Sequence, residues 1–256
     1  SSHRLHIAGK CTSFRASLAR PSHGHPGKPA MTAPLLVLDL DGTLVDTAAD
    51  LIATLNIVLA GEGLRPMTRE DAGALLGAGA KAMIERGFRL AEAPLDAATL
   101  ERLFAAYIPL YEARIAAESR PFPGAVAALD RFAAAGWRLA VCTNKLESLS
   151  RRLLDELGLA PRFAAICGGD TFPVRKPDAG HLLGTIARAG GDPARTVMVG
   201  DSATDVNAAR NAGVPVVGVT FGYTDTPIAR LSPDAVVAHF DDLWAAVAGL
   251  GPARQG

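Results

Sequence analysis

Apolar and polar positions divide the chain into two rhythms. Leu35-Leu-Val-Leu38 is a short apolar run with no polar face, as expected for a strand buried on both sides of a parallel sheet. From Thr47 the period turns helical. Leu51, Leu55 and Val58/Leu59 share one face, and Gly61 and Gly63 close that helix. Three more helical stretches are predicted over 68–76, 80–91 and 96–118. In the last, Leu100, Leu103, Phe104, Tyr107, Leu110 and Tyr111 recur at helical spacing, and Pro109 predicts a kink. These aromatics read as helix–helix core rather than as a ligand stripe. No strand is expected between Leu44 and Pro121, so 47–120 reads as an all-helical insertion.

Beyond Pro121-Phe-Pro-Gly124 the rhythm alternates. Strands are predicted at 138–143, 163–168, 196–200 and 214–219. Between them come helices carrying Val126, Leu129 and Phe132, then Leu149, Leu153, Leu154 and Leu157, then about 178–189 and 203–212. Such alternation implies βαβ units and a parallel sheet. The expected architecture is an α/β, Rossmann-like core (34–46 and 121–250) with helices on both faces, interrupted by the helical domain 47–120. A disordered leader (1–33) and a flexible tail (251–256) flank it.

Composition narrows the partners. Lys+Arg and Asp+Glu are equal at 26 each, which argues against a basic nucleic-acid-binding surface. No apolar run reaches membrane-span length, so no membrane partner is expected. Cys11, Cys142 and Cys167 show no zinc or CxxC spacing, which points to a reducing cytoplasm, with Cys142 and Cys167 as buried thiols. Residues 1–30 hold no acid, five Lys/Arg and four histidines (His3, His6, His23, His25). They have some likeness to a transit peptide. The simpler expectation is an upstream-extended or expression-derived leader, with Met31 as the natural initiator.

Ligands of parallel sheets bind beyond the carboxyl ends of the strands, and the polar residues there form one chemical set. The first strand runs into Asp39-Leu-Asp41-Gly42-Thr43; alternation sends both carboxylates out together, where they resist joint ionisation unless a cation is near. The second ends in Thr143-Asn144-Lys145, and the third is followed by Arg175-Lys176-Pro177, with Pro177 a candidate first helical residue. The fourth ends in Gly200-Asp201-Ser202-Ala203-Thr204-Asp205. Each piece has a plainer use: Asp201-Ser202 as a helix cap, Thr143 as a strand end, Lys176 as a solvated lysine; Lys145 reads either as a solvated lysine or as a group with a weak substrate role. Their coincidence at successive strand ends favours the acidic site. All-oxygen ligands suit Mg²⁺, which often shares a phosphate oxygen.

These four segments resemble, in order, the motifs of the haloacid dehalogenase-like phosphohydrolases, and the insertion resembles their C1-type cap. Asp50-Leu-Ile-Ala-Thr-Leu-Asn56, Pro121-Phe-Pro-Gly124, Val141-Cys-Thr-Asn-Lys145, Gly168-Gly-Asp170 and Gly218-Val-Thr-Phe-Gly-Tyr223 narrow the resemblance to the phosphoglycolate phosphatase branch. It implies Mg-dependent hydrolysis of a small phosphate monoester, with Asp39 as nucleophile through an aspartyl-phosphate and Asp41 as general acid and base. Mg²⁺ would be held by Asp39, the Asp41 backbone carbonyl and Asp201, with Asp205 orienting a metal-bound water or Lys176. Thr143, Lys176 and the amides near Gly42 and Asn144 would hold the phosphoryl oxygens. Gly42, Gly61 and Gly63 are candidate hinges, or simply turn glycines.

Within that family Asp41 counts against dehalogenation. Lys81, the only lysine of the insertion, has no motif context for an imine-forming phosphonate cleaver. Phosphomutases carry a His shortly after the first motif, where this chain reads Ala48-Ala-Asp-Leu-Ile-Ala. A sugar-phosphate phosphatase or β-phosphoglucomutase-like enzyme is the runner-up, and a non-catalytic phosphate-binding regulator the distant one. Selectivity is expected from the cap, where Gly77-Ala-Gly-Ala-Lys81 offers free N–H groups and Lys81 a charge to a substrate carboxylate. Arg86 and Arg89 are weaker candidates. A monomer or homodimer is expected.

Overall fold

The computed structural model describes residues 32–224 and 226–250. The tail and residues 1–31 of the leader, Cys11 included, lie outside the described residues. In chain order the elements are β1 (Leu35–Leu38), β2 (Val45–Asp46), α1 (Ala48–Gly61), α2 (Arg69–Ala72), a 3₁₀ stretch (Gly73–Ala78), α3 (Ala80–Leu90) and α4 (Ala97–Glu112). They continue with β3 (Arg120–Pro121), α5 (Ala125–Ala134), β4 (Arg138–Cys142), α6 (Glu147–Glu156), β5 (Ala165–Cys167) and α7 (Ala179–Arg188). The last are β6 (Thr196–Gly200), α8 (Ala203–Ala212), β7 (Val216–Val219), β8 (Ala235–Val237) and α9 (Leu243–Gly249). No helix among the described residues is long and apolar enough to cross a membrane.

Six strands form one parallel sheet in the order β5-β4-β1-β6-β7-β8. β1 is central, with Leu38 in register with Val141 on one side and Val199 on the other. Its residues alternate between two cores, which is why the run has no polar face. Leu36 and Leu38 pack with Leu129, Phe132 and Leu153; Leu35 and Val37 pack with Leu182, Ile186 and Met198. Full burial of each such side chain is worth about 1.5–3 kcal/mol, so the site rests on a stiff centre. The chain leaves β1 toward neighbours on both sides, which makes its carboxyl end the switch point where such sheets bind ligands.

Several sequence expectations need correction. β2 and β3 pair antiparallel at the two ends of the insertion, where no strand was expected. Two residues per strand are too few to show a period. The helix expected over 96–118 stops at Glu112 and gives way to turns, and beyond them the N–H groups of Glu118 and Ser119 bond to the buried Asp50 carboxylate, at 3.0 and 2.8 Å. The stretch 68–76 divides into α2 and the 3₁₀ turns around its glycines. Pro177 precedes α7 rather than starting it, and Asp178 caps that helix by accepting from Gly180 N. Cys142 and Cys167 are free, buried thiols, as expected.

Candidate active site

Asp39 follows directly on β1, and its own N–H continues the ladder to Val199 O at 3.0 Å. Because β4 and β6 flank β1, the residues beyond their ends, Thr143 and Asp201, stand on either side of Asp39. Asp39 Oδ1 lies 2.8 Å from Lys176 Nζ, which also meets Asp205 Oδ1 at 2.6 Å. Lys176 is 2 % exposed. Burial opposes its charge, but the Asp205 and Asp39 carboxylates outweigh that and hold the ammonium above the ordinary lysine value.

Asp39, Asp201 and Asp205 can each place one carboxylate oxygen so that all three lie within 4.8 Å of one another. Burial, the Asp205 charge and the Asp39 charge push Asp201 up to about 8. Burial pushes Asp39 up to about 6, partly offset by Lys176. One lysine therefore leaves the cluster short of positive charge. Asp39 Oδ1, although close to Lys176, has no hydrogen-bond partner among the described residues. Asp201 is fixed by Thr43 Oγ1 (2.9 Å) and by the Tyr223 N–H (2.7 Å). A Cβ at Gly42, whose φ is 84°, would fall 2.7 Å from Asp201 Oδ2, so the turn closes on that carboxylate only with glycine there. An undersaturated, all-oxygen cluster of this kind fits a hard divalent cation such as Mg²⁺. Asp205 is less free to serve it: its Oδ1 holds Lys176, and its Oδ2 accepts from Ser202 N (3.1 Å) and Ser202 Oγ (2.6 Å) at the start of α8.

Asp41 parts from this cluster. The strand ends at Leu38, the chain turns, and Asp41 bridges to Val45, so simple alternation no longer sets its direction. Its Oδ1 accepts from Thr47 Oγ1 (2.7 Å), and Lys145 Nζ bonds both its oxygens, at 3.0 and 3.1 Å. The Lys145 side chain is 5 % exposed and also reaches Tyr111 Oη at 2.8 Å, so the solvated-lysine reading is wrong for it. Lys176 is likewise no solvated lysine. Asp41, Lys145 and Tyr111 help line a cavity of about 520 Å³ between the sheet end and the helical insertion, with Asn144, Gly79 and Lys81 also on its wall.

The structure thus brings Asp39, Lys176, Asp201 and Asp205 together, with Gly42 against Asp201. Thr143 is buried, and its Oγ1 accepts from Lys145 N. Asn144 Nδ2 donates to Lys176 O at 3.0 Å and ties the two loops. Lys81 reaches the cavity but pairs with Glu101 and lies 4.9 Å from the Phe104 ring centre. Two residues were missed. Tyr111 had only its place in an apolar helical stripe. Tyr223 links Asp201 through its N–H to the insertion, its hydroxyl accepting from Thr47 N (2.6 Å) and Ala48 N (3.0 Å) and donating to Asp46 Oδ1 (2.6 Å).

Comparison with known proteins converges on one family. Residues 36–219 match the profile described as haloacid dehalogenase-like hydrolase. A protein of Agrobacterium fabrum named phosphoglycolate phosphatase is 54 % identical over 215 residues, covering 84 % of this chain and 92 % of the relative. One of the same name from Caulobacter vibrioides is 50 % identical over 208 residues, covering 81 % and 88 %. A crystal structure described as a predicted phosphoglycolate phosphatase from Haemophilus somnus superposes with TM-score 0.78 at 29 % identity, covering 84 % of this chain and 98 % of the other.

Proposed function

We propose that this chain, which belongs to the haloacid dehalogenase-like hydrolase family, is a Mg-dependent phosphatase that hydrolyses 2-phosphoglycolate to glycolate and phosphate. The observation that carries the reading is the division of labour between two carboxylates two residues apart. Asp39 faces the buried Lys176 and the acidic cluster, and Asp41 faces the cavity. The names borne by relatives 54 % and 50 % identical supply the substrate.

An Asp39 oxygen attacks phosphorus, the P–O bond to the leaving group breaks, and Asp41 gives its proton to the departing alkoxide. Asp41 then takes a proton from water as that water attacks the aspartyl-phosphate. Phosphate departs and the Asp39 carboxylate is restored. Lys176 positions Asp39 and offsets charge on the phosphoryl oxygens, to which Thr143 and the amides near Gly42 and Asn144 also donate. Asp39, Asp201 and the Asp41 carbonyl would hold Mg²⁺, which when bound neutralises phosphoryl charge that a carboxylate nucleophile would otherwise repel. The insertion 47–120 acts as a cap that excludes bulk water and selects the leaving group. The balanced charge and sparse cysteines suit a cytoplasmic enzyme with a small-molecule substrate, working as monomer or homodimer.

Phosphate release from a panel of phosphate esters, with and without Mg²⁺, tests the reading. The expected result is Mg-dependent turnover with 2-phosphoglycolate ahead of hexose phosphates; glucose phosphates leading the panel would overturn the substrate.

A further inference from the structure

The cavity wall carries three cations, and they are not equivalent. Lys81 is 43 % exposed along its side chain and already paired with Glu101. Arg175 is exposed at the rim. Lys145 alone of the three is buried, and its ammonium is held on the leaving-group side of the site by Asp41 and by Tyr111 of α4. Tyr111 Oη accepts from Lys145, and among the described residues no acceptor takes the phenol's own proton. Burial holds that phenol well above its ordinary pKa, so the proton stays on.

The chemistry of the leaving group makes use of this. In an ester of a 2-hydroxy carboxylate, one carbon separates the ester oxygen from the carboxylate. A group that touches the acid protonating the ester oxygen is therefore within reach of that carboxylate. Asp41 must also free one oxygen to face the ester, which releases the Lys145 proton now spent on it at 3.1 Å. We propose that Lys145, with the Tyr111 hydroxyl as a second donor, is the carboxylate-recognition pair of the site. It selects phosphate esters of small hydroxy acids over neutral alcohol phosphates. The inference rests on the substrate reading above and moves the selecting charge from Lys81, where the sequence placed it, to the strand-end lysine. Tyr111 belongs to the insertion and Lys145 to the core, so the carboxylate would be bound where the two meet.

The test is the ratio of kcat/KM for 2-phosphoglycolate to kcat/KM for 2-hydroxyethyl phosphate, its neutral counterpart. Lys145→Met is expected to slow both substrates, because Asp41 loses its partner, and to lower the ratio about tenfold or more, the worth of a charged hydrogen bond. Tyr111→Phe is expected to lower the ratio by a smaller factor and needs no charge removed from the core, so it serves should Lys145→Met not fold. Lys81→Ala should leave the ratio alone. Inhibition by glycolate should weaken in Lys145→Met in parallel with the ratio. A wild-type preference for 2-phosphoglycolate that survives both Lys145→Met and Tyr111→Phe overturns this inference and leaves the substrate reading standing. A wild type with no preference removes both.

Discussion

Asp41 is gripped by Lys145 through both carboxylate oxygens, at 3.0 and 3.1 Å, while the neighbouring acid Asp39 answers to a different lysine, Lys176, at 2.8 Å. Two carboxylates that the sequence sends off one strand end therefore do not compete for one cation. Each is held in its own electrostatic setting, which lets one act as nucleophile and the other exchange protons.

The first prediction follows from that separation. Asp39→Asn should abolish phosphate release with the fold intact by circular dichroism, since no other carboxylate occupies its place beyond β1. Asp41→Asn should instead slow an alkyl phosphate far more than p-nitrophenyl phosphate, whose leaving group departs without a proton. Equal losses for the two esters would remove the acid role from Asp41.

A second prediction separates Asp201 from Asp205. Among the described residues Asp201 is fixed only by a hydroxyl and one N–H, whereas both oxygens of Asp205 are engaged with Lys176 and Ser202. Asp201→Asn should raise the half-saturating Mg²⁺ concentration more than Asp205→Asn does. Asp205→Asn should lower kcat by loosening Lys176, which then positions Asp39 poorly. A Mg²⁺ titration of activity for both variants decides it, and the reverse order would make Asp205 the ligand.

How much of this was legible in the chain depends on the range of the interaction. The strand ends carrying Asp39, Thr143 and Asp201, and the loop carrying Lys176, could be read because each strand before them is short, apolar and locally bounded. The direction of Asp41 could not. It is set by the turn at Leu40–Gly42 and by Lys145, 104 residues away. Tyr111 looked like core because it is core, fully buried, and only the tertiary placement of α4 brings its hydroxyl to Lys145. The strand Ala235–Val237 and the helix Leu243–Gly249 were passed over because three residues, and a short segment rich in Ala and Gly, carry little periodic signal.

The third prediction concerns the root of the insertion. Asp50 Oδ2 accepts from Glu118 N, Ser119 N and Ser119 Oγ, so the carboxylate at the start of α1 closes the insertion onto its own exit. Asp50→Ala would leave the two donors of the buried Ser119 unpaired, at a cost of about 1–3 kcal/mol in unfolding free energy. Urea denaturation should show the loss, and Ser119→Ala a smaller one. A midpoint unchanged in Asp50→Ala would mean that water replaces the carboxylate there.

The last prediction is a pH dependence of the metal-free protein, and its sign follows from Asp201. In an unfolded chain an aspartate titrates near about pH 4. In the fold, burial first and then the charges of Asp205 and Asp39 push Asp201 up to about 8. Between those two values the folded chain holds a proton that the unfolded chain has released, so stability falls as pH rises. The contribution is fully present below about pH 4 and is lost as pH passes through about 8. Asp39, pushed up to about 6, adds to the fall in the lower half of the window. Chelator-treated protein should therefore show a lower urea midpoint at pH 8 than at pH 5.5. Asp201→Asn should flatten the slope, because an amide has no proton to lose. Mg²⁺ should restore the midpoint at pH 8 more than at pH 5.5, since a cation stabilises the ionised cluster and competes with the proton for it. A metal-free midpoint that rose from pH 5.5 to 8 would show that the cluster is already neutralised by Lys176 alone, and the case for a divalent cation would lose its electrostatic basis.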